Sequence, residues 1–244
     1  MIFWSVYLFF IGFLVVSAVV VFKADMSGPS KILLSLIAVM LVYGFYKIKY
    51  PTYTYRYRMT VAVDAEGETR SASSVIEVTA TRVPQVLPEV GPWDMSAQGQ
   101  AAFVGLPDGK NIVALLAAGR TANEPFVYPI IPRAFRPSKY KGINFDEVPE
   151  LSGRRELTKD QMPTLVTVTD PTDARTARVV NVDDLDSTLG VHLRSISVEM
   201  TKDAVTPIDM ERHLPFLNKL CEGRAGYWGY GGVFMPNCLY FVTR

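Results

Sequence analysis

The side chains able to do acid, base or metal chemistry are few and scattered in this 244-residue chain. It holds two histidines, His192 and His213, so proton transfer by imidazole near neutral pH would fall to one of them. His192 lies in an alternating run beside Arg194, and His213 lies in Met210-Glu-Arg-His-Leu-Pro215 at the end of an expected helix. Spacing gives neither a nucleophile nor a carboxylate partner, so no catalytic residue is assigned. Asp183, Asp184 and Asp186 place three carboxylates in four residues, but a calcium loop alternates its ligands around a glycine turn that is missing here. A helix cap is the better account of them. Cys221 and Cys238 are the only cysteines. Without a Cys-x-x-Cys or His-x-x-x-His spacing they make no zinc site, and no metal or cofactor is expected. The phosphate-binding Gly-x-x-x-x-Gly-Lys loop, the Gly-x-Ser-x-Gly elbow and the His-Glu-x-x-His helix are all absent from the sequence.

Residues suited to binding are easier to point to. Gly226-Tyr-Trp-Gly-Tyr-Gly-Gly232 combines close backbone approach with aromatic contact area, which makes Tyr227, Trp228 and Tyr230 candidates for a partner or glycan surface. The competing reading is a glycine-punctuated turn whose aromatics complete the core. Arg133 and Arg136, followed by Lys139 and Lys141 and interleaved with Phe135 and Tyr140, form the one basic cluster of note. Its functional reading is contact with anionic lipid headgroups, and its plain reading is a solvated loop. Beyond residue 50 the net charge is −2, so the clustered positive field that phosphate backbones require is missing and no nucleic-acid partner is expected. The two cysteines, 17 positions apart, fit either a disulfide of an oxidising compartment or two buried thiols.

These residues must be positioned by a β-rich domain. From Tyr53 the chain alternates, with Tyr53, Tyr55, Tyr57, Met59, Val61 and Val63 on one face and Thr54, Arg56, Arg58, Thr60 and Asp64 on the other. Ala65-Glu-Gly-Glu68 turns this strand into a Thr69–Val83 return. A second hairpin is expected to pair 100–106 with 111–117 across Pro107-Asp-Gly-Lys110, and a third to pair 164–169 with 177–182. A short helix with Leu185 and Leu189 on one face follows, capped by Asp183 or Asp184, stopped by Gly190 and leading into a strand over 191–201. The Pro-rich stretch at about 125–163 reads as a long ordered loop or an exposed insertion. The expected class is mainly β, an antiparallel sheet or sandwich with some short helices.

The domain, residues 51–244, follows two apolar runs. Ile2 to Phe22 holds no charge and, as a helix, would span roughly 30 Å, the thickness of a hydrocarbon core. Ile32 to Tyr46 is shorter, flanked by Lys31 and Lys47, whose stems can snorkel. Residues 1–50 are therefore expected to form a transmembrane helical hairpin, with Gly28 and Pro29 breaking the helix and Ser30 capping its second arm. Lys23 and Lys31 flank the connector while Lys47 and Lys49 follow the second run with Arg56 and Arg58 beyond, so counting charges alone tilts the large domain toward the cytoplasm. Against it stand a short amino terminus without a basic side chain, easily translocated, and the reading of Arg56 and Arg58 as strand residues, and the count leaves both sides of the membrane open.

Tyr55-Arg-Tyr-Arg-Met-Thr-Val-Ala-Val63, Ser73-Ser-Val-Ile-Glu-Val78, Leu165-Val-Thr-Val-Thr-Asp-Pro171, Asn181-Val-Asp-Asp-Leu185 and Val191-His-Leu-Arg-Ser-Ile-Ser-Val-Glu-Met-Thr201 resemble an uncharacterised proteobacterial family of membrane-tethered envelope proteins. The resemblance carries no catalytic motif. It implies a bacterial inner-membrane address and a β-rich domain on the periplasmic side, although family members carry one amino-terminal hydrophobic segment where this chain has two. The expected function is a membrane-anchored, non-enzymatic binding or assembly module of the cell envelope or of a membrane complex. Its partners would be the lipid bilayer and another protein, with an accessory subunit as one form of that role. A hydrolase or transferase whose site is dispersed in sequence is the alternative.

Overall fold

The computed structural model describes residues 27–85, 91–136, 145–222 and 237–243. The expected first span, 2–22, lies outside them. One long apolar helix is described, α1 (Gly28–Lys49), of 22 residues with an 18-residue stretch of mean hydropathy 1.8, long and apolar enough to cross a bilayer by length and composition. It extends beyond the expected 32–46 at both ends. It begins at the expected break, with Ser27 non-helical (ψ 150°) and Pro29 in the first turn, where a proline lacks only an N–H that has no helical partner. Ser27, not Ser30, holds the N-cap position, and the two hydroxyls lie 2.8 Å apart.

The chain divides into two compact units, residues 1–52 with 80–94 and residues 53–79 with 95–244. In the first, α1 ends at Lys49 and strand β1 (Thr52–Ala65) begins after two residues. Arg82 N–H donates to the Pro51 carbonyl at 2.9 Å, Thr52 and Thr81 hydroxyls meet at 3.2 Å, and the Arg82 guanidinium lies 6.0 Å above the Trp93 ring.

The second unit is built on β1. Its alternation is reproduced from Tyr55 on: Tyr55, Tyr57, Met59, Val61, Val63 and Ala65 are buried, the residues between them reach solvent, and Tyr53 at the strand's start is half-buried. Glu66 (φ 51°) and Gly67 (φ 83°) make the two-residue turn to β2 (Glu68–Arg82), a left-handed pair whose twist matches that of a hairpin. The strands β3 (Trp93–Gln100), β8 (Arg154–Glu156), β11 (Val191–Thr201) and β12 (Val242–Thr243) complete a six-stranded sheet in the order β12-β3-β2-β1-β11-β8. β11 runs antiparallel to β1, with Arg194 as an extra residue between the Ala62–Ser195 and Val63–Leu193 pairs.

A four-stranded antiparallel sheet has the order β10-β9-β5-β4, from β4 (Ala102–Gly105), β5 (Asn111–Ala114), β9 (Leu165–Val168) and β10 (Ala177–Val180). Its two hairpins are the expected ones in shorter form, since Gln100 belongs to β3 and Ala117 to a separate small hairpin, β6 (Ala117–Ala118) with β7 (Glu124–Pro125). Asp108 (φ 57°) and Gly109 (φ 73°) supply the first turn. The second turn is shaped by carboxylates. Asp170 accepts from the Thr172 hydroxyl at 2.7 Å and from its N–H at 2.8 Å, and those bonds hold its carboxyl below the usual range. Asn111, buried at the edge of β5, replaces a rung of the ladder: its Nδ2 donates to the Val168 carbonyl at 2.8 Å and its Oδ1 accepts from the Val168 N–H at 2.9 Å.

Among the described residues the other α-helices are short: α2 (Ile130–Phe135), α3 (Leu185–Leu189), α4 (Met210–His213), α5 (Phe216–Cys221) and α6 (Cys238–Phe241). α3 is the expected one, with Leu185 and Leu189 buried and Gly190 left-handed at φ 73°. No Asp183 or Asp184 side chain caps it; Asn181 instead accepts from the Asp183 N–H of the preceding turn at 3.3 Å. Gln100 anchors α4, donating to Asp209 at 2.7 Å and accepting from the N–H groups of Asp209 and Met210 at 2.9 and 3.0 Å. Val113, Val166 and Val168 pack in one core cluster with Met210, Leu217, Tyr240 and Phe241.

The Pro-rich stretch is the clearest correction. It is neither an exposed insertion nor one long loop among its described residues, since it contains α2 and β8 and buries Phe126, Val127, Ile130, Ile131, Phe145 and Val148. Prolines punctuate it without preventing the intervening apolar side chains from entering the core. Two tyrosines of β1 hold it in place: Tyr57 donates to the Val127 carbonyl at 3.2 Å and Tyr55 to the Tyr128 carbonyl at 3.3 Å.

Burial pushes both phenols well above the usual tyrosine range, with the neighbouring Tyr55 and Tyr128 adding to the effect at Tyr57. Below about pH 10 the phenols are neutral in folded and unfolded chains alike, and their contribution to stability is flat. Above that pH the unfolded chain releases protons that the folded one retains, so stability should fall by about 1.4 kcal/mol per pH unit for each phenol. Urea unfolding between pH 9 and 11.5 should show this slope, and Tyr55→Phe should reduce it by one phenol's share; an unchanged slope would contradict the assignment.

Candidate functional site

The strands β6 and β9, the β6–β7 turn, helix α2 and the segment before β9 enclose a cleft of about 560 Å³ in the second unit. Its floor is apolar, from Phe126, Ile130, Leu165 and Val180, and its rim is polar, from Arg120, Glu124, Arg133, Lys159, Gln161 and Asn181. This combination of an apolar floor with a few polar groups is the ordinary make-up of a ligand or peptide site.

Each wall has a local cause. Thr158 and Gln161 form a capping box on the turn Lys159–Gln161, and the Thr158 hydroxyl also donates to Asp160 at 2.6 Å. The other end of Gln161 donates to the Arg133 carbonyl at 3.3 Å and so joins this turn to α2. Thr164 donates through its hydroxyl to the Gly119 carbonyl at 2.6 Å and through its N–H to the Ala117 carbonyl at 2.8 Å, which clamps the β6–β7 hairpin to the start of β9. Lys159 pairs with Asp183 across the mouth. The hairpin turn itself is constrained: Gly119 has φ 87°, and Ala122, fully buried, has φ 55°, a conformation in which alanine is uncommon. The turn carries Arg120, exposed and without a carboxylate partner among the described residues.

Of the residues singled out from sequence, Arg133 reaches this cleft. Arg136 points elsewhere and pairs with Glu147 at 3.6 Å. Tyr227, Trp228, Tyr230, Lys139 and Lys141 lie outside the described residues. His192 is exposed, 3.5 Å from Asp186, and His213 stacks on Phe103 with ring centroids 4.5 Å apart; neither lines the cleft. Asp183, Asp184 and Asp186 are exposed around the start of α3, and among the described residues no cluster of three metal-ligating side chains occurs. Cys221 and Cys238 are joined in a disulfide with their Cα atoms 5.2 Å apart, tying α5 to α6. Sequence reasoning passed over Arg120, Gln161 and Asn181. The available signal was Gly119-Arg120 directly after the apolar run 112–118, a glycine placed to turn a chain that then presents a charge.

A second depression of about 550 Å³ involves Arg56, Glu77 and Lys202 over Val148, Leu151 and Met200. Arg56 and Glu77 are bonded at 2.6 Å and neutralise each other, which leaves Lys202 as the one uncompensated charge of that lining.

Comparison with protein-family models, with curated proteins and with solved structures finds no match.

The cleft depends on Gly119. A Cβ there would lie 2.8 Å from Asn123 Oδ1 and would sit on a backbone that disfavours any side chain. Gly119→Ala should therefore cost about 1–2 kcal/mol in unfolding free energy and raise proteolysis within 119–124. A variant as stable as the parent in urea would show that the turn is free to relax.

Proposed function

We propose that the chain is a membrane-anchored binding or assembly module of the bacterial envelope, held by a two-pass helical hairpin, with its β-rich domain on the periplasmic side. The observation that carries the reading is the direct join of α1, a 22-residue apolar helix, through two residues to β1, the strand on which the domain is built. A tether this short raises the local concentration of the domain at the bilayer surface without any further contact. The Cys221–Cys238 disulfide supports the oxidising side of the membrane. In that orientation both chain ends lie outside, the connector with Lys23 and Lys31 faces the cytoplasm as positive charge prefers, and Lys47 and Lys49 extend to the headgroups.

The cleft beside α2 is the place where such a module would take hold of a partner. Its balance of rim charges, Arg120, Arg133 and Lys159 against Glu124 and Asp160, suits a mixed polypeptide surface better than a polyanion.

The reading is tested in two steps. The protein should remain in membranes washed with alkaline carbonate, and a benzophenone side chain at Asn181 should yield a discrete protein adduct on illumination of intact cells while one at His213 should not. Release by carbonate would remove the anchor; equal adducts from both positions, or none from Asn181, would remove the cleft.

A further inference from the structure

An edge strand leaves a row of main-chain groups that another chain can pair with, and the two larger sheets treat theirs differently. β8, at one edge of the six-stranded sheet, is Arg154-Arg155-Glu156, every residue exposed and charged, which guards against such pairing. β10, at one edge of the four-stranded sheet, has one charged residue, Arg178, whose guanidinium is turned back onto the carbonyls of Arg175 and Ala177. The rest of the strand, Val179 and Val180, runs along the cleft with Asn181 after it.

Which groups face outward follows from the ladder. Val168 bonds the Asn111 side chain through its N–H and C=O, and the Thr164 carbonyl accepts from Leu115 N–H, so Thr164, Val166 and Val168 face β5. Leu165 and Thr167 therefore face β10, opposite Val180 and Arg178. Ala177, Val179 and Asn181 are left facing away from the sheet. Among the described residues, the Val179 N–H and C=O and the Asn181 N–H have no hydrogen-bond partner. The Val179 side chain packs with the core cluster of Val166 and Ala177, on the face opposite Val180, so what Val179 brings to the cleft is main chain. Two rim charges of opposite sign, the exposed Arg120 and Glu124, likewise have no ion partner among the described residues.

We propose that the cleft takes an extended segment of a partner protein, which adds to the four-stranded sheet along the outer edge of β10. Main-chain bonds to Val179 and Asn181 set its register, alternate apolar side chains lie on Ile130 and Leu165, and one acidic and one basic side chain meet Arg120 and Glu124. This rests on the binding-module reading above and adds the conformation and charge of what is bound. In strand addition the main chain supplies affinity and alternate side chains supply specificity, which is the division found here between an open strand edge and an apolar floor. The paired rim charges favour a segment of mixed charge over a polyanion.

The probe is a random peptide library displayed on phage and selected on detergent-solubilised full-length protein. Selected peptides should alternate apolar with polar positions and carry both an acidic and a basic residue. In synthetic copies, N-methylation of the main chain should weaken binding about tenfold at alternate residues and little at those between, because only one set of N–H groups faces β10. Val179→Pro, which removes an outward N–H and no rung of the ladder to β9, should weaken binding about tenfold, and Arg120→Glu should exchange the selected acidic residue for a basic one. The N-methyl scan uses the unaltered protein and so stands even where Val179→Pro does not fold. No selected peptide, or peptides that tolerate N-methylation at every position, would overturn strand addition; so would a dimer of the full-length protein that Val179→Pro dissociates, which would put a second copy on this edge. A photo-adduct from Asn181 in cells that is undiminished by Val179→Pro would overturn strand addition while leaving the cleft a binding site, whereas loss of that adduct from the parent removes the binding reading itself.

Discussion

Burial of one face of β1 is the constraint on which the rest of the described structure depends. Six alternate side chains from Tyr55 to Ala65 enter the interior while their neighbours stay at the surface, and a shift of one residue would exchange the two sets. That fixed register aligns the polar face as well. Thr54 meets the Thr79 hydroxyl at 3.1 Å, Arg56 meets Glu77, Asp64 accepts from the Thr69 hydroxyl at 2.6 Å, and on the other side Arg58 reaches Glu199 and Asp203. On the buried face the same strand extends two phenol groups to the carbonyls of Val127 and Tyr128, so the Pro-rich segment and α2 are positioned from β1 too. Since α2 contributes Ile130 and Arg133 to the cleft, the cleft inherits its geometry from a strand that does not line it.

Much of this was legible in the amino-acid order because its signals are local. The alternation in β1, the left-handed turns at Glu66–Gly67 and Asp108–Gly109 and the glycine stop at Gly190 each require one residue type at one position. What could not be read is non-local. Asn111 and Gln100 look like solvent-facing polar residues, yet both are buried and bond backbone groups of segments more than fifty residues away. The pairing of β12 with β3 joins residues 243 and 99. The Pro-rich segment misleads for the same reason: periodicity is broken at each proline, and the partners of its apolar side chains are in strands far along the chain. The cleft suffers most, being assembled from five short segments of which sequence reasoning marked one residue, Arg133.

One buried polar atom stands outside this economy. The Ser74 hydroxyl, 1% exposed on the inner face of β2, has no hydrogen-bond partner among the described residues, a cost of the order of 1 kcal/mol that an alanine would not carry. Nothing in the structure explains why serine is kept there. By contrast, the carboxyl end of the chain is closed with care: Phe241 accepts from Ala101 N–H at 2.7 Å, Tyr240 accepts from Leu116 N–H at 2.8 Å, and the disulfide fixes the start of α6 against α5. Both sheets are thus stitched to a segment whose covalent lock forms in an oxidising environment, which under the proposed anchoring would link the stability of the domain to the side of the membrane it faces.

That link makes sidedness the decisive property. The most direct measurement is labelling of a single exposed cysteine, Ser71→Cys on the β2 edge of the hairpin turn, by a membrane-impermeant thiol reagent, with the native disulfide left intact. If the domain is periplasmic, Cys at 71 is labelled once the outer membrane alone is permeabilised, and Cys221 and Cys238 react only after reduction. If labelling at 71 requires opening the inner membrane and both native thiols are free, the domain is cytoplasmic, and the envelope role falls with it.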